Sequence, residues 1–183
     1  MEAAVARSHR WPAAAAALLA VGFIAGMLWS GREPESRWLV KSEAAGVLAV
    51  APERISRVEV TADGRRLTFV RGAGGWSAGG RPVPPPLAAH LESSLKFMRV
   101  SAPVRVLGRE DYRGTALAEY GLDPPRYTVS LFEGDRLALE AGFGVPNPQK
   151  VLQYMRLRGR DEVHLMSRFV GHEWERVVDA AAR

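Results

Sequence analysis

The chain has 183 residues, 47% apolar and 25% charged, an ordinary globular balance for one domain with something added. It contains no cysteine, which excludes disulfides, thiolate metal sites, iron–sulfur clusters and cysteine nucleophiles together. Its formal net charge is +5, but the signs are interleaved, as in Arg109-Glu110-Asp111 and Arg160-Asp161-Glu162. That is the pattern of a solvated surface rather than of a nucleic-acid-binding one, which clusters its cations.

Residues 1–10 form a short tail with Arg7 and Arg10. Trp11 to Ser30, WPAAAAALLAVGFIAGMLWS, carries no charge and predicts a transmembrane helix. Trp11 and Trp29 would stand about 27 Å apart at ~1.5 Å per residue, one indole at each interface. Pro12 falls in the first turn, where its missing N–H costs little. A cleaved signal peptide would need small residues at its end, whereas this segment closes on Met27-Leu28-Trp29-Ser30-Gly31, so the expectation is a retained anchor. Lys and Arg flank both sides, and the charge rule leaves orientation undecided. A short tail, one span and a large C-terminal domain is the layout of an anchor with its N-terminus inside. The expected location is thus a membrane with the domain outside the cytoplasm, which in a bacterium is the inner membrane with the domain on the periplasmic side. Gly22 and Gly26 form a G-x-x-x-G step that would let a second membrane helix approach closely.

Residues 31–51 show no strong period and read as a stalk; residues 52–183 read as the folded domain. Val58 and Val60 alternate with polar residues, Asp63-Gly64 turns the chain, and Leu67 and Phe69 alternate again, a strong hairpin signal. Gly72 to Gly75 makes a second turn, with Trp76 expected over the core. After Pro82 to Pro86, the apolar positions Leu87, Leu91, Leu95 and Met98 predict an amphipathic helix, with Glu92 and Lys96 paired on its outer face. A short strand follows near Val104–Leu107, then a brief helix over 115–120. A strand with Tyr127, Val129 and Leu131 turns at Glu133-Gly134-Asp135 into one with Leu137 and Leu139. A further hairpin joins 152–157 to 163–166 through Gly159. The last helix presents Val170, Trp174, Val177, Val178 and Ala181 on one face. The expected fold class is α+β: antiparallel sheet built from hairpins, two amphipathic helices packed on it, and one transmembrane helix in front. Each half has a hairpin with an acidic, glycine-bearing turn and closes on a helix, a weak internal repeat.

Residues 118–131, AEYGLDPPRYTVSL, form a helix stop followed by a strand. With Gly121 as the left-handed residue past the helix, Leu117 and Leu122 occupy the two positions that touch across a Schellman stop, and Pro124-Pro125 prevents the helix from resuming. Every residue type there has a structural reason, so the stretch reads as a joint. Gly75-Trp76, Tyr120-Gly121-Leu122-Asp123-Pro124-Pro125 and Tyr154-Met155-Arg156 occur in an order and spacing that resembles the bacterial domain of unknown function DUF4340, over roughly Ile55 to Val178. That resemblance implies a domain often tethered by an N-terminal helix. Some members accompany ABC-type export or gliding systems. It implies no catalytic residues.

The residues offer no catalytic motif. His172-Glu173-Trp174-Glu175 lacks a second histidine one turn on, since residue 176 is Arg. His9, His90 and His164 stand alone in sequence. Gly72–Gly75 lacks the Lys and Ser/Thr of a phosphate loop, Gly142-Phe143-Gly144 is followed by Val-Pro-Asn rather than a helix start, and there is no G-x-S-x-G. No metal and no cofactor are expected. For binding, residues 142–150 read as a rigid loop presenting Phe143 and Val145. The expectation is a non-enzymatic, membrane-anchored accessory subunit docked on other membrane-protein subunits, with Gly22, Gly26, Phe143 and Val145 as candidate contacts. A periplasmic domain that binds a small molecule or glycan is the alternative.

Overall fold

The computed structural model describes residues 10–30 and 46–181; the tail before Arg10, His9 and the stalk up to 45 lie outside the described residues. The chain divides into two units, Met1–Ser42 and Glu43–Arg183. The first contributes the helix α1 (Arg10–Ser30). Among the described residues no helix is long and apolar enough to cross a membrane. This corrects the expected architecture: the single-pass anchor, the inner-membrane location, and the membrane and membrane-subunit partners that depended on it are not supported.

The second unit is built on one antiparallel sheet. Its strands are β1 (Arg57–Ala62), β2 (Arg65–Gly72), β3 (Gly75–Ala78), β4 (Arg81–Pro82), β5 (Arg105–Leu107), β6 (Tyr127–Glu133), β7 (Arg136–Pro146), β8 (Leu152–Leu157) and β9 (Val163–Ser167). They lie in the order β4-β3-β2-β1-β6-β7-β8-β9-β5. Two helices follow the two runs of strands, α2 (Pro85–Val100) and α3 (Arg168–Ala181). The weak repeat in the sequence therefore has a topological counterpart. A four-stranded meander and a helix occur twice, and the two meanders join through β1 and β6, with Val58 opposite Leu131 and Val60 opposite Val129. The hairpin turns at Asp63-Gly64 and Gly134-Asp135 occupy equivalent places, and Asp63 and Gly64 both take the positive φ that a two-residue turn needs (50° and 73°). β5 has no counterpart and adds a ninth strand at one edge.

Period-2 alternation puts Val58, Val60, Phe69, Trp76, Val129, Leu131, Phe143 and Met155 on one face of the sheet, where they meet Leu87, Leu91, Leu95 and Met98 of α2 and Val170, Trp174 and Val177 of α3. The helix spacing that predicted these positions is met at each one. Glu92 departs from expectation. It accepts from Trp76 Nε1 at 2.7 Å and from Arg71 at 3.0 Å rather than pairing with Lys96. Residues 46–51 belong to the domain and not to a stalk. Leu48 is fully buried, and the Gly46 and Leu48 amides donate to the Arg99 and Met98 carbonyls at the end of α2. An irregular strap bonded to a helix end carries no periodicity, which is why the boundary was invisible in the sequence.

The opposite sheet face is half covered. Residues 108–125 cross over it and bury a second cluster, Leu107, Leu122, Val163 and Leu165, with Tyr112, Leu117, Tyr120, Leu152 and Tyr154 around them. The joint holds this cover in place. Leu117–Tyr120 is a single 3-10 turn, tighter than the expected helix, and Gly121 follows it at φ 63°, ψ 33°. Leu122 N–H donates to Leu117 O and Gly121 N–H to Ala118 O, both at 2.9 Å, the two bonds of a Schellman stop. The stop then docks on β7, where glycine is required twice. A Cβ on Gly144 would lie 2.0 Å from Tyr120 O, and one on Gly121 would lie 2.8 Å from Val145 Cγ1.

Two substitutions test the joint. Gly121→Ala places a Cβ at positive φ and should cost on the order of 1 kcal/mol or more. Gly144→Ala drives a Cβ into backbone that has no rotamer to move, and should cost roughly 2–3 kcal/mol. Urea unfolding of the full chain should rank wild type above Gly121→Ala above Gly144→Ala; equal midpoints would show that the joint does not set the packing.

Candidate functional site

The positions singled out for binding fall in different places. Gly22 and Gly26 stand open on α1, with no atom within 4 Å of either Cβ position. Phe143 is fully buried and stacks on Tyr127 with ring centroids 4.9 Å apart, so it is a core residue and not a surface contact. Val145 is half-buried against Gly121. The expected loop over 142–150 is strand for its first half, because β7 runs on to Pro146. The turn begins only at Asn147, whose Oδ1 accepts from the Val151 and Leu152 amides at 3.1 and 2.9 Å.

The groups whose protonation is perturbed are spread through the domain rather than gathered. Burial, and secondarily Glu175, pushes the Tyr127 hydroxyl far above its ordinary value, and it donates to Gly171 O at 2.9 Å. Around it, Gln153 donates to Gly144 O and accepts from Arg168, and Gly171 gives the space these side chains need, since a Cβ there would meet Gln153 Oε1 at 1.8 Å. Glu133 sits at the other end of β6, about 20 Å away at ~3.4 Å per residue. A hydrogen bond from Arg136, with help from Arg54, holds its carboxyl below the usual range. His164 is three strands away on β9. His90 bonds Glu173 at 2.8 Å, and His172 lies exposed beside Arg176. Among the described residues no group of three His, Asp or Glu side chains could hold a metal ion.

Two surface features remain. The first is a shallow groove of about 290 Å3 on the open sheet face, walled by Leu122 and Pro125 of the joint, with Thr128, Glu140, Arg156 and Arg158 among its lining residues. Its charges are already satisfied: Arg158 pairs with Glu140 at 3.1 Å and Arg156 with Asp161 at 3.2 Å. A ligand there would have to break these pairs.

The second is the β5 end of the sheet. Val100, Val104, Val106, Val151 and Phe169 are between 42% and 61% exposed. Contacts made by them or by their chain neighbours bring them to one end of the sheet. Phe169 packs edge-on against Phe97, one turn before Val100; Arg168 N–H donates to Val151 O; Val104 N–H donates to Leu165 O. Among the described residues β5 has β9 on one side and a free edge on the other. His164 lies beneath, cross-strand from both Val106 and Met155, its ring nearly buried and its Nδ1 without a partner. The sequence signal for this end was present in Val104 and Val106, an alternating pair in a run too short for a central strand.

No family model, no curated protein and no solved structure matches the chain. The three elements that resemble DUF4340 all have structural partners. Trp76 is roofed by Arg71 at 4.5 Å and tied to Glu92, while Tyr120 of the joint meets Tyr154 with ring centroids 4.6 Å apart.

His164 yields a pH prediction. Burial is the largest influence and depresses its pKa, Arg160 adds to this, and Glu162 opposes it. The folded chain therefore binds this proton less readily than the unfolded chain. Stability is greatest above the unfolded histidine value of about 6.5 and falls as pH drops below it. The melting temperature should decline between about pH 7 and 5.5, and His164→Gln should flatten that decline. An unchanged slope in the variant would remove His164 as the cause.

Proposed function

We propose that this domain is a non-catalytic binding module that engages another protein through the β5 end of its sheet. The observation that carries the reading is that five of the seven exposed large apolar side chains among the described residues of the domain stand around one sheet edge, while the other two, Val70 and Leu137, lie apart on β2 and β7. Contiguous exposed apolar surface beside an unpaired strand is the feature that protein partners cover. The perturbed Tyr127, Glu133 and His164 point away from catalysis because they do not converge on one cleft. Membership of DUF4340 is proposed on the same footing, supported by the contact between Tyr120 and Tyr154, which brings two of its three elements together.

Site-specific photo-crosslinking in the native host tests the reading. A photoreactive residue at Val106 should give a discrete protein adduct, and one at Arg66, exposed on the open face of β2, should not. Val104→Asp should suppress the Val106 adduct while leaving the melting curve within about 0.5 kcal/mol of wild type, because the side chain is already exposed. Equal adducts from both positions, or none from Val106, would overturn the assignment.

A further inference from the structure

The kind of partner can be narrowed by the charges that rim the apolar end. Each of its five residues has two neighbours in the chain. The charged ones among them are Arg99, Arg105, Lys150 and Arg168, all basic. Arg168 is committed to Glu175 at 2.5 Å, and Arg99 donates to Leu48 O at 3.3 Å. Arg105 reaches its nearest carboxylate, Asp111, only at 4.0 Å, and its side chain is 66% exposed. Lys150 is exposed but stands in the turn between β7 and β8, two strands from β5, so Arg105 is the cation at the edge itself.

The two edges of the sheet also differ. β4 is a two-residue strand ending on Pro82, followed by Pro84, Pro85 and Pro86, and proline has no N–H to donate to an added strand. β5 is short as well, but Arg105, Val106 and Leu107 all keep their amides, and β9 occupies only one side. A further strand can therefore pair with β5 and not with β4.

Resting on the docking reading above, we propose that the β5 edge accepts an extended segment of a partner protein by strand addition, a segment with apolar residues at alternate positions and acidic residues between them. Strand addition supplies backbone hydrogen bonds, and alternate side chains supply specificity. The apolar side chains lie against Val104, Val106 and Phe169; the acidic ones face Arg105. A second copy of this chain fits less well, because its β5 would bring another Arg105, and no acidic side chain of its own strand, to the same edge.

The test uses the purified full chain and two synthetic peptides, one alternating Val with Glu and one alternating Val with Lys. The Val/Glu peptide should bind roughly tenfold more tightly at low salt, an advantage that added salt reduces. It should slow hydrogen exchange at the outward amides of Arg105–Leu107 by about tenfold or more. Arg105→Glu should reverse the preference, and Val104→Asp with Val106→Asp should abolish binding of both peptides. Equal binding of the two peptides, binding without protection of β5, or a dimer of the free chain that Val106→Asp dissolves would each overturn the proposal; the last would make the second copy the occupant. If the peptides fail while the Val106 crosslink persists, the partner class falls and the docking reading stands. If both fail, both fall.

Discussion

The antiparallel pairing of β1 with β6 is the contact on which the rest of the domain is hung. Val58, Val60, Val129 and Leu131 are fully buried where the two meanders meet. Each meander alone is a four-stranded sheet with one apolar face and one helix, and it would leave β1 or β6 as an open apolar edge. Pairing these two strands closes both edges at once and lays α2 and α3 side by side over a single face. The register is fixed by burial. A slip of one residue would turn Val58 and Val60 outward and bring Arg57, Glu59 and Thr61 into the core.

The second constraint is the seating of the joint on β7. The open face could have been a plain polar sheet. It is instead divided by the 108–125 cover, which shelters Leu107, Val163 and Leu165 and so ties β9 and β5 to the remainder. That cover lies flat only because Gly144 has no side chain under Tyr120 O and Gly121 takes a left-handed backbone beside Val145. The stretch that looked most like a site in the sequence is therefore a clasp. Its contribution to function is indirect: Leu107 holds β5 by its covered face, and the valines on the other side of that strand are left at the surface.

Local rules were enough for much of this. Alternation and turn residues located β1, β2, β6, β8 and β9, helical spacing located the buried faces of α2 and α3, and the Gly121 stop has the hydrogen bonds its residue types require. Three things were not legible. β4 and the 46–51 strap are held by bonds to distant backbone, which leave no pattern in their own residues. The length of β7 was hidden by glycines and Pro146, which read locally as loop but sit in a strand because the joint and β8 press on it. The membrane anchor rests on the composition of residues 11–30 alone, and among the described residues no helix is long and apolar enough to cross a membrane. The candidate docking end was hidden for another reason. A strand's position in the sheet is a property of topology, and Val104 and Val106 look the same in sequence whether the strand is central or at an edge.

The energetics of the β5 end favour a reversible contact. Full burial of a valine or phenylalanine stabilises by about 1.5–3 kcal/mol, and five side chains that are already about half buried offer roughly half of that each, near 5 kcal/mol in all. Association costs an estimated 4–15 kcal/mol in lost translational and rotational freedom, so the apolar patch alone does little more than offset the lower end of that range. Backbone pairing along a three-residue strand adds a few bonds of about 1 kcal/mol each. The basic rim contributes mainly to the rate and selectivity of encounter. On this sum a partner gains affinity by supplying all three components together. A partner with apolar groups alone would lack the strand and the charge, and a basic one would be repelled at Arg105 before the valines met it.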